Sequence, residues 1–229
     1  VSPLSILYTT YCIVLFVVLA LTTLAVTLFL PGLRRRRHVA GAFSRVFLRA
    51  AGIPFTVQGV ELLPLTPCVV VANHASYIDG IVAIAALPPD FAFVIKREMV
   101  RVPLANLLLR RLGSEFVERF DRHKGASDAR RMLRLAARGQ SLVFFPEGTF
   151  DGRRQIRKFM GGAFATAARS QLPVIVAAIH GTRAMFPPGG ITFHRCPIRF
   201  EILAILEAEG SRQRSRELIA AAVGEPLVP

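Results

Sequence analysis

The chain is poor in cysteine and in acidic residues, and both shortages narrow its chemistry. Its three cysteines, Cys12, Cys68 and Cys196, stand far apart in 229 residues and form no CxxC pair. They cannot all pair with one another, so a disulfide framework is excluded and a reduced, cytosolic setting fits. Cys68 sits inside an apolar run and reads as a small buried hydrophobe. His194 with Cys196 is too sparse a pair to argue for zinc. Asp and Glu number 15 against 29 Lys and Arg, which leaves a net charge of +14 and a pI near 11.3. A balance of this kind suits nucleic acid, anionic lipid or a phosphorylated substrate. Residues 96–138 hold 12 Lys/Arg and 5 Asp/Glu and so supply half of the excess. Aromatic residues are sparse there and no nucleic-acid motif is present, so specific nucleic-acid binding is not expected. Any DNA binding should be weak, non-specific and salt-dependent. An anionic membrane is the more economical partner, although any single arginine also reads as part of a solvated face.

Charge is missing altogether from residues 4–30, and this run contributes much of the high mean hydropathy of +0.46. As a helix it would measure roughly 40 Å, more than the roughly 30 Å of bilayer hydrocarbon. A buried core helix rarely stays uncharged for so long. A signal peptide would be shorter and would carry its charges in front. Here Pro31-Gly32 ends the run and four arginines, Arg34–Arg37, come after it. The expectation is a membrane helix or a membrane-embedded hairpin over residues 1–38, followed by a domain over 39–229. The arginines predict that the downstream side is cytoplasmic, which places the domain on the cytoplasmic face of the inner membrane. Residues 39–51 space Phe43, Val46, Phe47 and Ala50 as one helical face, with Arg45 and Arg49 between. Such a helix fits either the membrane interface or the domain surface.

Beyond residue 54 the pattern alternates. Strands are predicted at 55–58, 69–72, 92–96, 115–119, 142–145, 174–179 and 198–206. Helices are predicted at 77–87, 104–112, 127–138, 161–169 and 212–223. Alternation of this kind predicts an α/β fold with a largely parallel central sheet flanked by helices. There is no internal repeat and no low-complexity linker.

The segment with the most chemistry is Asn73-His74-Ala75-Ser76-Tyr77-Ile78-Asp79-Gly80, set between a strand-like and a helix-like run. A histidine that removes a hydroxyl proton needs a carboxylate on its other ring nitrogen to fix the tautomer. On one continuous helix, residues 74 and 79 would point roughly 140° apart. The pair meets only if His74 lies in the loop before the helix and Asp79 in its first turns. Ser76 is a natural N-cap for that helix. Ser76-x-x-Asp79 also resembles a capping box with Asp in the Glu/Gln position, so a catalytic pair and a helix cap are both open at this point.

A second segment, Phe145-Pro146-Glu147-Gly148-Thr149, follows another strand-like run. Together with Asn73-His74 and Asp79 it resembles the glycerolipid acyltransferases, in particular the bacterial 1-acylglycerol-3-phosphate acyltransferases. Lys96-Arg97-Glu98-Met99 with Pro103, Gly113 and Arg119 resembles a further block of that family, and Leu172 through Thr182 resembles its fourth. The blocks run in family order across roughly residues 70–182. The resemblance implies transfer of a fatty acyl group from acyl-CoA or acyl-carrier protein to the free hydroxyl of a lysophospholipid, without metal or organic cofactor. His74 and Asp79 would be catalytic. Lys96, Arg119, Glu147, Gly148 and Thr149 would bind the acceptor, with Arg119 or Lys96 on its phosphate. Taken by itself, Arg119 also suits a surface ion pair with Glu118 or Asp121, and Pro146-Glu147-Gly148 suits a simple turn. Neither a GxSxG elbow nor a cysteine next to a histidine is present, in keeping with direct attack rather than an acyl-enzyme.

The chain departs from the family pattern at three points. Phe150 stands where arginine commonly follows Gly-Thr, Met160-Gly161 stands where basic residues often precede Gly-Ala-Phe, and Val176 replaces a second proline. Arg153, Arg154, Arg157 and Lys158 are close in sequence and are potential substitutes. These departures bear on the acceptor, so glycerol-3-phosphate and lyso-ornithine lipid are alternatives to 1-acylglycerol-3-phosphate. A catalytically silent membrane-binding module is the alternative of another class.

Overall fold

Seven strands form one sheet in the order β1-β7-β6-β2-β5-β3-β4 in the computed structural model, which describes residues 2–118 and 122–228 (backbone only for 122–126). The strands are β1 (Phe55–Gln58), β2 (Val69–Ala72), β3 (Phe91–Lys96), β4 (Glu115–Val117), β5 (Ser141–Phe144), β6 (Val174–His180) and β7 (Ile198–Leu206). Strands β6, β2, β5, β3 and β4 run parallel, while β7 pairs antiparallel with β6 and parallel with β1. The sheet is therefore largely parallel with one reversed edge. The central β2 is buried at every position, which its Val-Val-Val-Ala sequence permits because both faces of the sheet are covered.

One face carries α1 (Pro3–Phe29), α2 (Leu33–Ala50) and α3 (Asp79–Ala86) over a core that includes Phe47, Leu48, Val70, Val82 and Phe200. The other carries α6 (Gly162–Ser170) and α8 (Ser211–Val223) over Val69, Val71, Phe159, Ala167 and Ile219. Helix α5 (Arg122–Ala137) adds Met132 against Ala92 and Leu142, and α4 (Pro103–Arg111) sits beside α1. The single turn α7 (Thr182–Met185) follows β6.

The charge-free segment is one unbroken helix whose length and composition allow it to cross a membrane. It is bound along its length to α2. Tyr8 and Tyr11 donate to the carbonyls of Ala51 and Ala50 at the end of α2, and Phe16 meets Phe47 edge to face. At the other end Arg111 donates to the carbonyls of Thr27 and Leu28, and Arg36 to that of Leu30. One stripe, Thr9, Cys12, Thr23, Leu24 and Thr27, is buried on the domain, while Leu4, Leu7, Val14, Val18 and Phe29 are exposed. Helix α2 begins at Leu33, earlier than the periodicity of 39–51 suggests, because the arginines after Gly32 are good helix formers and need no apolar face to join it. It therefore runs across residue 38.

Candidate active site

The site lies where β2 and β5, hydrogen-bonded neighbours, both end. Loops at the carboxyl ends of parallel strands are where open α/β sheets place ligands. Asn73 makes the first turn possible. Its buried side-chain amide donates to the Ile179 carbonyl at 3.0 Å and accepts from the Ile179 N–H at 2.7 Å. The side chain thus continues the β2–β6 ladder in place of the main chain, and the main chain is free to turn toward His74.

His74 Nδ1 lies 2.8 Å from Asp79 Oδ2. The same oxygen accepts from the backbone N–H of Ala75 at 2.6 Å and of Ser76 at 2.8 Å. The side chain of Asp79 is wholly buried and that of His74 is 20% exposed. The contact that the pairing reading requires is present, and so are bonds from this carboxylate to backbone N–H groups. His74 is in the loop and Asp79 opens α3, as the pairing requires. The carboxylate does serve backbone N–H groups, but in the turn before the helix rather than at the end of a capping box. Ser76 is not the N-cap: Ile78 is, without a side-chain cap. The Ser76 hydroxyl donates to the Phe186 carbonyl at 2.7 Å, and its oxygen accepts from the Ile78 N–H at 3.4 Å, so it serves the turn before the helix. With Nδ1 held by Asp79, Nε2 has no hydrogen-bond partner among the described residues.

Glu147 is buried and ties the two loops together. Oε1 accepts from the His74 backbone N–H at 2.7 Å and Oε2 from that of Arg157 at 2.9 Å. Gly148 next to it has φ +75°, a conformation that glycine adopts without strain. Thr149 is exposed beside it. Arg157 also pairs with Asp151 at 2.8 Å, and Arg183 donates to the Asp151 carbonyl at 2.9 Å while forming a two-bond pair with Glu225. From α8, Arg216 holds the carbonyls of Arg157 and Ile156, so the loop after Glu147 is pinned from below.

Burial pushes the Glu147 carboxyl up from 4.5 to about 7, against the two N–H donors that favour its ionised form. An acid whose folded-state pKa lies above its unfolded value keeps a proton that the unfolded chain releases. Glu147 therefore costs stability as pH rises from about 4.5 to about 7, by about 3 kcal/mol over that window. Glu147→Gln is expected to remove this slope, so denaturant titrations should show wild type losing ground to the variant between about pH 4.5 and 7. A difference that stays constant with pH would show that the two N–H bonds keep the carboxylate ionised throughout.

His74, Tyr77, Phe145 and Phe150 line a cavity of about 360 Å³ that continues to Phe16 and Leu19 of α1, Phe43 and Phe47 of α2, and Leu108 of α4. Its walls are overwhelmingly apolar, and Lys96, at the end of β3, is the one lysine or arginine among the described residues that line it. The structure thus gathers His74, Asp79, Glu147, Gly148 and Thr149 at one place, with Lys96 on the same cavity. Arg119 lies outside the described residues. His180 is engaged elsewhere, 3.0 Å from Glu201. The Phe150 contact with His74, the Arg183–Glu225 pair and the amide bridge of Asn73 were not legible as such. Asn73 belongs to the first sequence block and Arg183 follows the last, but what they bind is distant in the chain.

Fold and site together define an α/β protein with a His–Asp pair at the carboxyl edge of its sheet, opening on an apolar cavity that runs to its N-terminal helices. The chain belongs to the Acyltransferase family, whose model matches residues 54–180. It is 31% identical over 168 residues to a chloroplastic 1-acyl-sn-glycerol-3-phosphate acyltransferase of Brassica napus, covering 70% of this chain and 48% of that one. It is 33% identical over 147 residues to a lyso-ornithine lipid O-acyltransferase of Pseudomonas aeruginosa, covering 62% and 54%. The chain thus spans about half the length of the curated relatives it matches. The fold matches the crystal structure of the 1-acyl-sn-glycerophosphate acyltransferase PlsC from Thermotoga maritima with a TM-score of 0.81, at 21% identity and over 96% of this chain and 95% of that one.

Proposed function

We propose that the protein moves a fatty acyl group from an acyl thioester, acyl-CoA or acyl-carrier protein, to the free hydroxyl of 1-acylglycerol-3-phosphate, giving phosphatidic acid. The observation that carries this reading is the 2.8 Å His74–Asp79 contact beside a cavity that leads to the apolar helices. His74 Nε2 takes the hydroxyl proton as the oxygen bonds to the thioester carbonyl carbon. Asp79 fixes the tautomer through Nδ1 and offsets the charge of the imidazolium. The carbon–sulfur bond then breaks and His74 returns the proton to the departing thiolate. Lys96 and Arg119 are the proposed partners of the acceptor phosphate, and Glu147 with Gly148 and Thr149 shapes the loop that receives it.

The membrane attachment is proposed to be one-sided. Helix α1 is bound along α2, and α2 carries Arg34, Arg35, Arg36, Arg45 and Arg49. Carrying that pair across hydrocarbon would bury several guanidinium groups, each at a cost of at least about 2.5 kcal/mol. With its exposed apolar side in one leaflet and the arginines at the headgroups, residues 1–38 attach and 39–229 react, on the cytoplasmic side of the inner membrane. The acyl chain then reaches the cavity without crossing water.

A second acceptor, lyso-ornithine lipid, is favoured by Phe150 at a position where the family commonly has arginine, and by the Pseudomonas aeruginosa relative of that name. The test is an acyl-transfer assay of the purified full chain with both donor types and a panel of 1-acylglycerol-3-phosphate, glycerol-3-phosphate and lyso-ornithine lipid. Phosphatidic acid is the expected product. Product from lyso-ornithine lipid alone would replace the acceptor, and lipid binding without product from any pair would favour the silent membrane-binding module.

A further inference from the structure

Two aromatic rings flank the imidazole of His74. Phe145 stacks on its face with centroids 4.7 Å apart and planes at 25°, and Phe150 meets it edge-on at 4.4 Å and 73°. Phe150 is itself buttressed by Tyr77 at 4.8 Å and 84°, and Tyr77 leans on Phe186, which stacks on the buried Phe193 at 4.4 Å. A row of rings therefore runs from the base to the core, and four of its neighbours, His74, Tyr77, Phe145 and Phe150, share the wall of one cavity. A charged phosphate gains nothing from this row. Its ring faces also offer water no strong hydrogen-bond partner.

Exclusion matters because a His–Asp pair does not choose among hydroxyl groups. Water brought to Nε2 would attack the same thioester: its oxygen bonds to the carbonyl carbon, the carbon–sulfur bond breaks, and its proton passes through His74 to the thiolate, leaving fatty acid and free thiol. We propose that Phe150, supported by Tyr77, decides which hydroxyl reaches His74 and so sets the ratio of acyl transfer to thioester hydrolysis. The inference rests on the acyl-transfer reading above. Phe150 acts by position, keeping an apolar wall against the imidazole until an acceptor's own hydroxyl displaces it.

The experiment uses the full chain in detergent micelles with a fatty acyl-CoA as donor and 1-acylglycerol-3-phosphate as acceptor. Free thiol and lipid product are measured side by side, with and without acceptor. In wild type, thiol release should depend on acceptor and match lipid product. In Phe150→Ala, acceptor-independent thiol release should rise relative to transfer by about tenfold, the effect of about 1.4 kcal/mol of lost discrimination. Phe150→Leu keeps apolar bulk and should keep the wild-type ratio. Tyr77→Ala, at a residue 64% exposed, should move the ratio the same way by less, and it serves if the Phe150 variant does not fold. An unchanged ratio in both alanine variants, with transfer intact in wild type, overturns this inference and leaves the acyl-transfer reading standing. Wild type that yields no acceptor-dependent product with this pair or any other overturns both.

Discussion

His74→Ala is expected to lower kcat for acyl transfer by about 10³-fold while leaving KM for either substrate nearly unchanged. The size is that of a positioned base whose proton transfer occurs in the transition state. The substitution removes one hydrogen bond, from Nδ1 to Asp79 Oδ2, and leaves the other bonds of the loop in place. The main-chain N–H of residue 74 still reaches Glu147, and Asp79 still accepts from Ala75 and Ser76. Circular dichroism should therefore show an intact fold, and any loss of activity then belongs to the base. A rate equal to wild type would remove His74 from the chemistry and leave its bond to Asp79 as a strut for the loop. Binding of the acceptor measured separately would distinguish a lost base from a lost ligand contact.

Gly181→Ala is expected to be strongly destabilising, costing about 4 kcal/mol and lowering Tm by about 10 °C. Gly181 has φ +86°, and a Cβ there would lie 2.1 Å from the Pro197 carbonyl oxygen, with the Ile198 Cα also in contact. The obstacle is backbone, not a flexible side chain, so β7 would have to separate from β6 at its first pair, His180↔Arg199. Gly162→Ala is the control: it opens α6, and nothing lies within 4 Å of a Cβ there. Thermal unfolding should leave Gly162→Ala at or slightly above wild type. Equal shifts in the two variants would mean that the approach of Pro197 is not rigid.

Most of the architecture was legible because it follows from local pattern. Runs such as 69–72 and 174–179 are too short and too β-branched to be helices, and their flanking helical periods require parallel crossovers. The predicted strand at 198–206 is observed within the same bounds, but nothing local to it says that it runs against β6 rather than with it. That direction comes from the connection, a turn at α7 and a loop through Pro187–Gly190 instead of a crossover helix. Helix ends were read less well. Ser76 has the chemistry of a cap, yet α3 starts three residues on, at Asp79, and the Ser76 hydroxyl bridges the turn before it to a carbonyl 110 residues away.

The sequence alone determined that His74 and Asp79 can meet only across the start of a helix, that a long uncharged segment precedes a cluster of arginines, and that the chain resembles glycerolipid acyltransferases. These are matters of spacing, composition and motif order, which need no knowledge of distant contacts. The tertiary structure decided that the apolar helix lies bound along α2, that its residues share a cavity with His74, and that Glu147 joins the two loops through backbone N–H groups. It also turned Phe150 from an unexplained departure into a ring against the His74 imidazole. Each of these depends on residues from separate elements arriving at the same point, and side-chain contacts of that kind have no period or spacing to betray them in one dimension.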